Sequence, residues 1–362
     1  MIARMSLNYA VFAVFTFWQK KKKVSHSSVI FMSSLIEDLP DEVSLMCLAR
    51  IPLYLHPNLS LVCRAWRAAV QSVELLRARH ELNFTEDFIC VCANEPNNTW
   101  QLYDPRRNLW ITTPALPSHI RHISYFSAVS VGGKLFVLGG GHNPETLEEG
   151  DEGTFATNEV WSYEPVTRKW ALCAPMIVPR VSFACGVVNG KIIVAGGFDA
   201  SRRPTAKAEI FDPENNVWIL MPDLNHTNNS LCHGVVVHGK MDVVHMGVST
   251  VQKFDNDEQA WKTDICSWSN NPGVVVRDVV YVKRFTCRCY HNKKEHIEIG
   301  SFGMNDFGYG MASLGNEIFL IGGVTFNITV LRFGRGGPPA LRLAAAITRC
   351  RGIILACTSM RV

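Results

Sequence analysis

The chain has 362 residues, 47% hydrophobic and 19% charged, with a formal charge of +4. Five of its 36 basic residues and none of its 32 acidic ones lie in the first 31 positions, so the body is near neutral. That excludes the basic footprint of a nucleic-acid binder. Twelve cysteines, several inside apolar runs (Cys185, Cys357), exclude a secreted disulfide scaffold and fit a reducing cytoplasm or nucleus.

Residues 1–31 read as a non-native or disordered leader, with Met32 as the expected start. The apolar run Leu7–Trp18 is too short to span a bilayer, and Lys20–Lys23 follow it where a signal peptide carries its charge in front. A membrane role is therefore not expected.

Residues 32–80 have helical grammar. The run Leu35-Ile36-Glu37-Asp38-Leu39-Pro40-Asp41-Glu42-Val43 predicts a first helix, its early carboxylates favoured by the helix dipole. Val43, Cys47, Leu48 and Ile51 follow at helical spacing, then Pro52 and Pro57 interrupt. A second helix is expected from Pro57 or Asn58, carrying Leu59, Leu61, Val62, Trp66 and Val70, and a third over Glu74–His80. Three short helices bury too little to stand alone.

Residues 85–362 are repetitive. An aromatic is followed seven positions later by tryptophan in Tyr103–Trp110, Tyr163–Trp170, Phe211–Trp218 and Phe254–Trp261. Three copies carry proline two positions after the aromatic, which breaks a helix, so the unit reads as strand, turn, strand. A glycine turn, an apolar strand and a glycine pair lie upstream of it at Gly139-Gly140 and Gly196-Gly197, in worn form at Gly239–Met246, and the same pattern recurs at Gly322-Gly323 without the aromatic and tryptophan. Inner-strand candidates are Phe88–Cys92, Lys134–Leu138, Lys191–Ala195, Lys240–Val244, Asp278–Val282 and Glu317–Ile321. Another apolar run comes before most of them, so one unit holds four strands. Such a sheet cannot bury both faces alone, and stacking radially solves this. The expectation is a mainly β, six-bladed propeller, with blades 5 and 6 degenerate because they lack the tryptophan. The first unit lacks a strand, and the run 349–358 near the C-terminus is expected to supply it, removing an exposed edge.

Residue types for chemistry are sparse. There is no P-loop, HExxH motif or nucleophile elbow. The Cys287-Arg288-Cys289-Tyr290-His291 cluster has no second ligand pair, so neither metal nor cofactor is expected. The second blade carries an acidic insertion with Glu148, Glu149 and Asp151, and the matching loop of the third is basic, with Arg202 and Arg203. Opposite charges on one rim would orient a protein partner.

Two resemblances cover most of the chain. The glycine pair, later aromatic and tryptophan resemble kelch repeats, whose fold is a β-propeller. The pattern Leu39-Pro40-x-x-Val43, Leu48, Ile51-Pro52, Leu59, Val62-Cys63-Arg64-x-Trp66 resembles a three-helix F-box. The order of the two is similar to plant F-box/kelch proteins of the Skp-interacting-partner class, including Thr348-Arg349-Cys350-Arg351-Gly352 near the end. The resemblance implies a substrate-recognition subunit of an SCF (Skp–cullin–F-box) ubiquitin ligase with no catalytic group of its own. It implies that Leu39, Pro40, Val43, Leu48, Ile51, Pro52, Leu59, Val62 and Trp66 hold the Skp adaptor, while the propeller holds an unnamed target protein. The alternatives are a non-ligase kelch scaffold and, further off, a propeller enzyme.

Overall fold

A computed structural model describes residues 34–95, 99–142, 155–248, 250–255, 257–265, 273–276, 279–283, 286–291, 295–301, 309–322, 327–332, 340–346 and 351–362. The leader lies outside these. The chain divides into a largely helical unit, which runs to Glu86 and also takes in Glu164–Lys169 and Val362, and a β unit of Asp87–Tyr163 and Trp170–Arg361.

The helical unit holds α1 (Asp41–Ala49), a 3-10 turn (Leu53–Leu55), α2 (His56–Leu59), α3 (Arg64–Val70) and α4 (Val73–Glu81). The described residues thus keep the small helical bundle expected, with the second helix divided into the single turn His56–Leu59 and Arg64–Val70. The first begins at Asp41 rather than in the Leu35 region, with Pro40 in the cap position and Asp41 and Glu42 in its first turn. The expected second helix is broken at Ser60–Cys63, because Cys63 is extended and caps a new helix: its Sγ accepts the Trp66 N–H at 3.4 Å. Ser72 caps α4 in the same manner, accepting from Leu75 N at 3.2 Å.

The β unit contains six four-stranded antiparallel sheets among the described residues. Blade 1 takes β1 (Asp87–Glu95), β2 (Thr99–Asp104) and β3 (Leu109–Thr112). A short α5 (Ser118–Arg121) and β4 (Ile123–Ser124) lead into blade 2, formed by β5 (Ser127–Val131), β6 (Lys134–Leu138), β8 (Val160–Glu164) and β9 (Lys169–Leu172), while β7 (Gly141–His142) pairs with β4. Blade 3 is β10 (Ala184–Val188), β11 (Lys191–Ala195), β12 (Ala208–Asp212) and β13 (Val217–Met221). Blade 4 is β14 (Cys232–Val237), β15 (Lys240–His245), β16 (Thr250–Asp255) and β17 (Ala260–Ile265). Blades 5 and 6, worn in sequence, still have four strands each: β18 (Gly273–Val276), β19 (Val279–Lys283), β20 (Thr286–His291), β21 (Glu295–Ser301); then β22 (Tyr309–Leu314), β23 (Glu317–Gly322), β24 (Asn327–Arg332), β25 (Ala340–Ala346). The last strand, β26 (Arg351–Arg361), pairs antiparallel with β1 and gives blade 1 its fourth member.

The sheets form a ring. Strands β26, β5, β10, β14, β18 and β22 each pack on the next, and β22 returns to β26. They surround an axial cavity of about 440 Å³, lined by Val129, Val187, Val235, Val274, Ala312 and Cys357, one residue from each blade. This corrects the strand assignment. The runs read from sequence as inner strands lie second from the axis; the apolar run before each is innermost in blades 2 to 6, and β26 is innermost in blade 1. Backbones converge there, which selects small residues. A Cβ on Gly234 of β14 would sit 2.5 Å from the Cys185 carbonyl oxygen of β10. The second strands are covered on both faces and so read as the most apolar: Leu135, Ile192 and Ile318 are each fully buried.

Tyr103, Phe211 and Phe254 sit directly opposite their tryptophans across the outer hairpin. Ring centroids are 4.9 Å apart for Tyr103–Trp110, 5.0 Å for Tyr163–Trp170, 4.9 Å for Phe211–Trp218 and 5.1 Å for Phe254–Trp261. The indole N–H then reaches the preceding blade. Trp170 donates to Pro114 O, Trp218 to Ala174 O and Trp261 to Pro222 O, at 2.8–2.9 Å. Trp110, whose preceding blade is the worn sixth, has a buried N–H with no partner among the described residues. The glycine pairs allow close crossing. Gly139 and Gly197 have φ of +57° and +81°, and a Cβ at either would come within 2.7 Å of a carbonyl oxygen.

The worn blade 4 places Asp242 where blades 2 and 3 have Phe136 and Ile193. Burial pushes its carboxyl up to about 6, with Lys253 at 3.9 Å opposing only in part. A raised folded value means the charged form costs stability above pH 6, and that cost fades as pH falls through it. Asp242→Asn is therefore expected to raise stability at pH 7.5 by about 2–3 kcal/mol and to have no effect near pH 4. Urea melts at the two pH values check this, and a gain equal at both would contradict the assignment.

Candidate functional site

Two surfaces carry the residues singled out by sequence. The first is on the helical unit, which is organised by one buried ion pair. Arg79 Nη2 meets Glu86 Oε2 at 2.8 Å, both side chains nearly inaccessible. Arg79 Nη1 also donates to Ala49 O and Ile51 O, and the Leu53 N–H donates to Glu86 Oε2 at 2.9 Å. His56 Nε2 donates to Ile51 O at 3.1 Å. Burial, then the neighbouring Arg79, holds that imidazole down to about 4, so it stays neutral. The effect is to fix the turn Ile51-Pro52-Leu53 without exposing its polar groups.

On this frame the expected adaptor residues divide. Pro40 and Val62 are exposed, Val62 at 59%. Leu39, Val43, Ile51, Pro52, Leu59 and Trp66 are half-buried. Leu48 is 1% exposed and belongs to the interior, so its assignment to the adaptor surface is corrected: a side chain without accessible area cannot meet a partner. Leu61, outside the expected contact set, is 77% exposed beside Val62. The Trp66 indole donates to Leu35 O, and the Leu35 N–H donates to Asp41 Oδ1, which ties the Leu39-Pro40 entry to α3. Leu61 and Val62 thus form an exposed aliphatic pair on the helical unit.

The second surface is the rim of the β unit formed by loops between second and third strands. Arg202 and Arg203 are exposed there in a tight turn. Asp199 Oδ1 accepts the N–H groups of Ser201 and Arg203 at 2.8 and 3.0 Å, and the Arg202 guanidinium lies 4.9 Å over the Phe155 ring. The acidic partners Glu148, Glu149 and Asp151 lie outside the described residues. Nearby connections between blades expose Tyr125, Ile177 and Leu231. Cationic and apolar groups therefore share this rim.

The arrangement closest to catalytic chemistry is in blade 4. Cys232 Sγ is 3.5 Å from His245 Nδ1, and His245 Nε2 is 2.8 Å from the Gln252 amide. Burial pushes the thiol up to about 11 and the imidazole down to about 4. Both are neutral near pH 7, whereas a thiol nucleophile acts as thiolate. Gln252 also accepts from Asn225 N and donates to His226 O, so the trio serves as a hydrogen-bonded network inside the blade. No group of three metal-ligating side chains is found among the described residues, and no helix among them is long and apolar enough to cross a membrane.

Comparison with known proteins gives concordant results. The F-box domain family matches residues 36–78, and the Kelch motif family matches residues 122–177 and 179–225. The F-box/kelch-repeat protein SKIP30 of Arabidopsis thaliana is 44% identical over 346 residues, covering 91% of this chain and 98% of that protein. The F-box protein AFR of the same plant is 27% identical over 267 residues, covering 68% of each. Among solved structures, that of YjhT superposes with a TM-score of 0.53 at 15% identity, over 67% of this chain and 91% of that one; this likeness concerns the fold alone.

Proposed function

Because the chain belongs to the F-box/kelch-repeat proteins, we propose that it is the substrate-recognition subunit of an SCF-type ubiquitin ligase. The helical unit binds a Skp-type adaptor and through it the cullin–RING machinery, and the propeller binds a target protein. The observation that carries this is the accessible apolar side chains of the F-box: Pro40, Leu61 and Val62 open to solvent, and Leu39, Val43, Ile51, Pro52, Leu59 and Trp66 half-buried. The buried Arg79–Glu86 pair holds that surface in shape before any partner arrives, which lowers the ordering cost of binding.

The target is held by the rim that carries Arg202 and Arg203, with the acidic insertion of Glu148, Glu149 and Asp151 as its complement. Catalysis in this reading is positional. A lysine of the target is brought beside a charged conjugating enzyme, and the gain is one of effective concentration. The chain supplies no reacting group. It works in the cytoplasm or nucleus.

Leu39→Ala combined with Pro40→Ala is expected to abolish adaptor pull-down while the propeller's melting transition stays in place. Adaptor retained by that variant would remove this interface from the account.

A further inference from the structure

Ring closure builds a cavity that no local motif announces. At the seam between blades 1 and 6 a space of about 570 Å³ is lined by Asp87, Arg106, Leu314, Glu317, Arg332 and Arg361. These residues come from β1, the turn after β2, the end of β22, β23, the end of β24 and the end of β26, so only closure brings them together.

The charges are layered. Two carboxylates lie deep: the Asp87 side chain is 8% exposed and that of Glu317 19%. Asp87 holds two arginines at once. Its Oδ2 accepts from Arg106 Nη2 at 3.0 Å and its Oδ1 from Arg361 Nε at 2.6 Å. Glu317 Oε1 accepts from Arg332 Nε at 2.6 Å. The three guanidiniums themselves are open, at 64–69% exposure. Each donates one N–H to its carboxylate, and a guanidinium carries further donors beyond that one. Among the described lining residues, three cations stand against two carboxylates.

We propose that this seam cavity is a binding site for a small phosphorylated molecule. A phosphate group accepts many hydrogen bonds around one centre, which matches guanidinium forks arriving from three strands' ends. Buried carboxylates that orient exposed cations are the arrangement such a site needs, because the forks are aimed before the ligand arrives. The cavity exceeds what a bare phosphate ion fills, so the group's substituent is accommodated as well. The site does not depend on the adaptor or target assignments.

The test titrates the full chain with inorganic phosphate and, separately, with pyrophosphate at constant ionic strength, followed by phosphorus NMR and by thermal melts. Saturable binding is expected, and Arg106→Gln with Arg332→Gln should weaken it by about tenfold or more. Arg202→Gln with Arg203→Gln, on the loop rim, should leave it unchanged. Tighter pyrophosphate than phosphate binding points to an ester or polyphosphate ligand, and equal binding to free phosphate; either supports the site. Arg106→Gln alone, which leaves Asp87 paired with Arg361, serves if the double variant melts before titration. The proposal is overturned if neither probe binds, or if the seam variants bind as well as the native chain.

Discussion

Removing residues after Ala346 is expected to lower the melting temperature by about 10 °C or more, or to abolish a cooperative transition. Strand β26 pairs with β1 from Asp87 to Glu95 and also packs on β5 and β22, so it joins three blades. Its Ile354 enters the core formed by Ile89, Val91, Tyr103, Phe319 and Val330, and its Met360 is fully buried. Losing such side chains forfeits about 1.5–3 kcal/mol each before the exposed edge of β1 is considered. At a few degrees per kcal/mol for a domain of this size, the effect is large. The fit is specific. Gly352 has φ of +73°, and a Cβ there would lie 2.1 Å from Asn94 Oδ1, which accepts the Ile353 N–H at 2.7 Å. A peptide of residues 347–362 added in trans should restore part of the loss. A truncated chain that melts within about 2 °C of the full one would show that the ring does not need this strand.

The second large effect is expected at Arg180. This residue lies in the connection between blades 2 and 3 and is fully buried, as is its partner Glu209. Its backbone is tied to blade 2, its carbonyl accepting from Gly140 N and its own N–H donating to Thr157 O. Its side chain reaches blade 3, where Nη1 donates to Gly196 O and Lys207 O and Nη2 to the Glu209 carboxylate. Glu209 in turn accepts from Ile177 N and Val178 N. The residue thus rivets two blades together. Arg180→Ala leaves the buried Glu209 carboxylate without its counter-ion and the Gly196 and Lys207 carbonyls without the guanidinium, and should cost about 3–5 kcal/mol in urea denaturation. Arg180→Met with Glu209→Gln removes both charges yet keeps an acceptor for the two N–H groups, and should recover much of that loss. A single variant costing under about 1 kcal/mol would mean the pair holds nothing across the blades.

What was readable in the sequence followed from what repeats. The outer hairpin declares itself because the turn needs proline, the wedge between blades needs an aromatic pair, and the indole needs a carbonyl one blade back. The strand order near the axis was harder. Phe136 and Ile193 are louder hydrophobic signals than Gly186 or Gly234, yet crowding at the axis gives the innermost place to the strands with the small residues. Leu48 and Val62 are both aliphatic residues in a helical pattern, and their opposite exposures depend on how α1 and α4 pack and on where Cys63 restarts the chain. Blades 5 and 6 keep their ladders without the tryptophan because backbone pairing is indifferent to it, as the register of β22 to β25 shows. The arginine cavity had no local trace, since residues 87 and 361 meet only when the ring shuts.

The functional account rests on the adaptor contact. Calorimetric titration of the purified full chain with a Skp-type adaptor measures it directly. The account predicts a saturable complex of one adaptor per chain, lost when Leu61 and Val62 are both changed to aspartate. No heat and no co-elution at about 10 µM, with the chain shown to be folded, would contradict it.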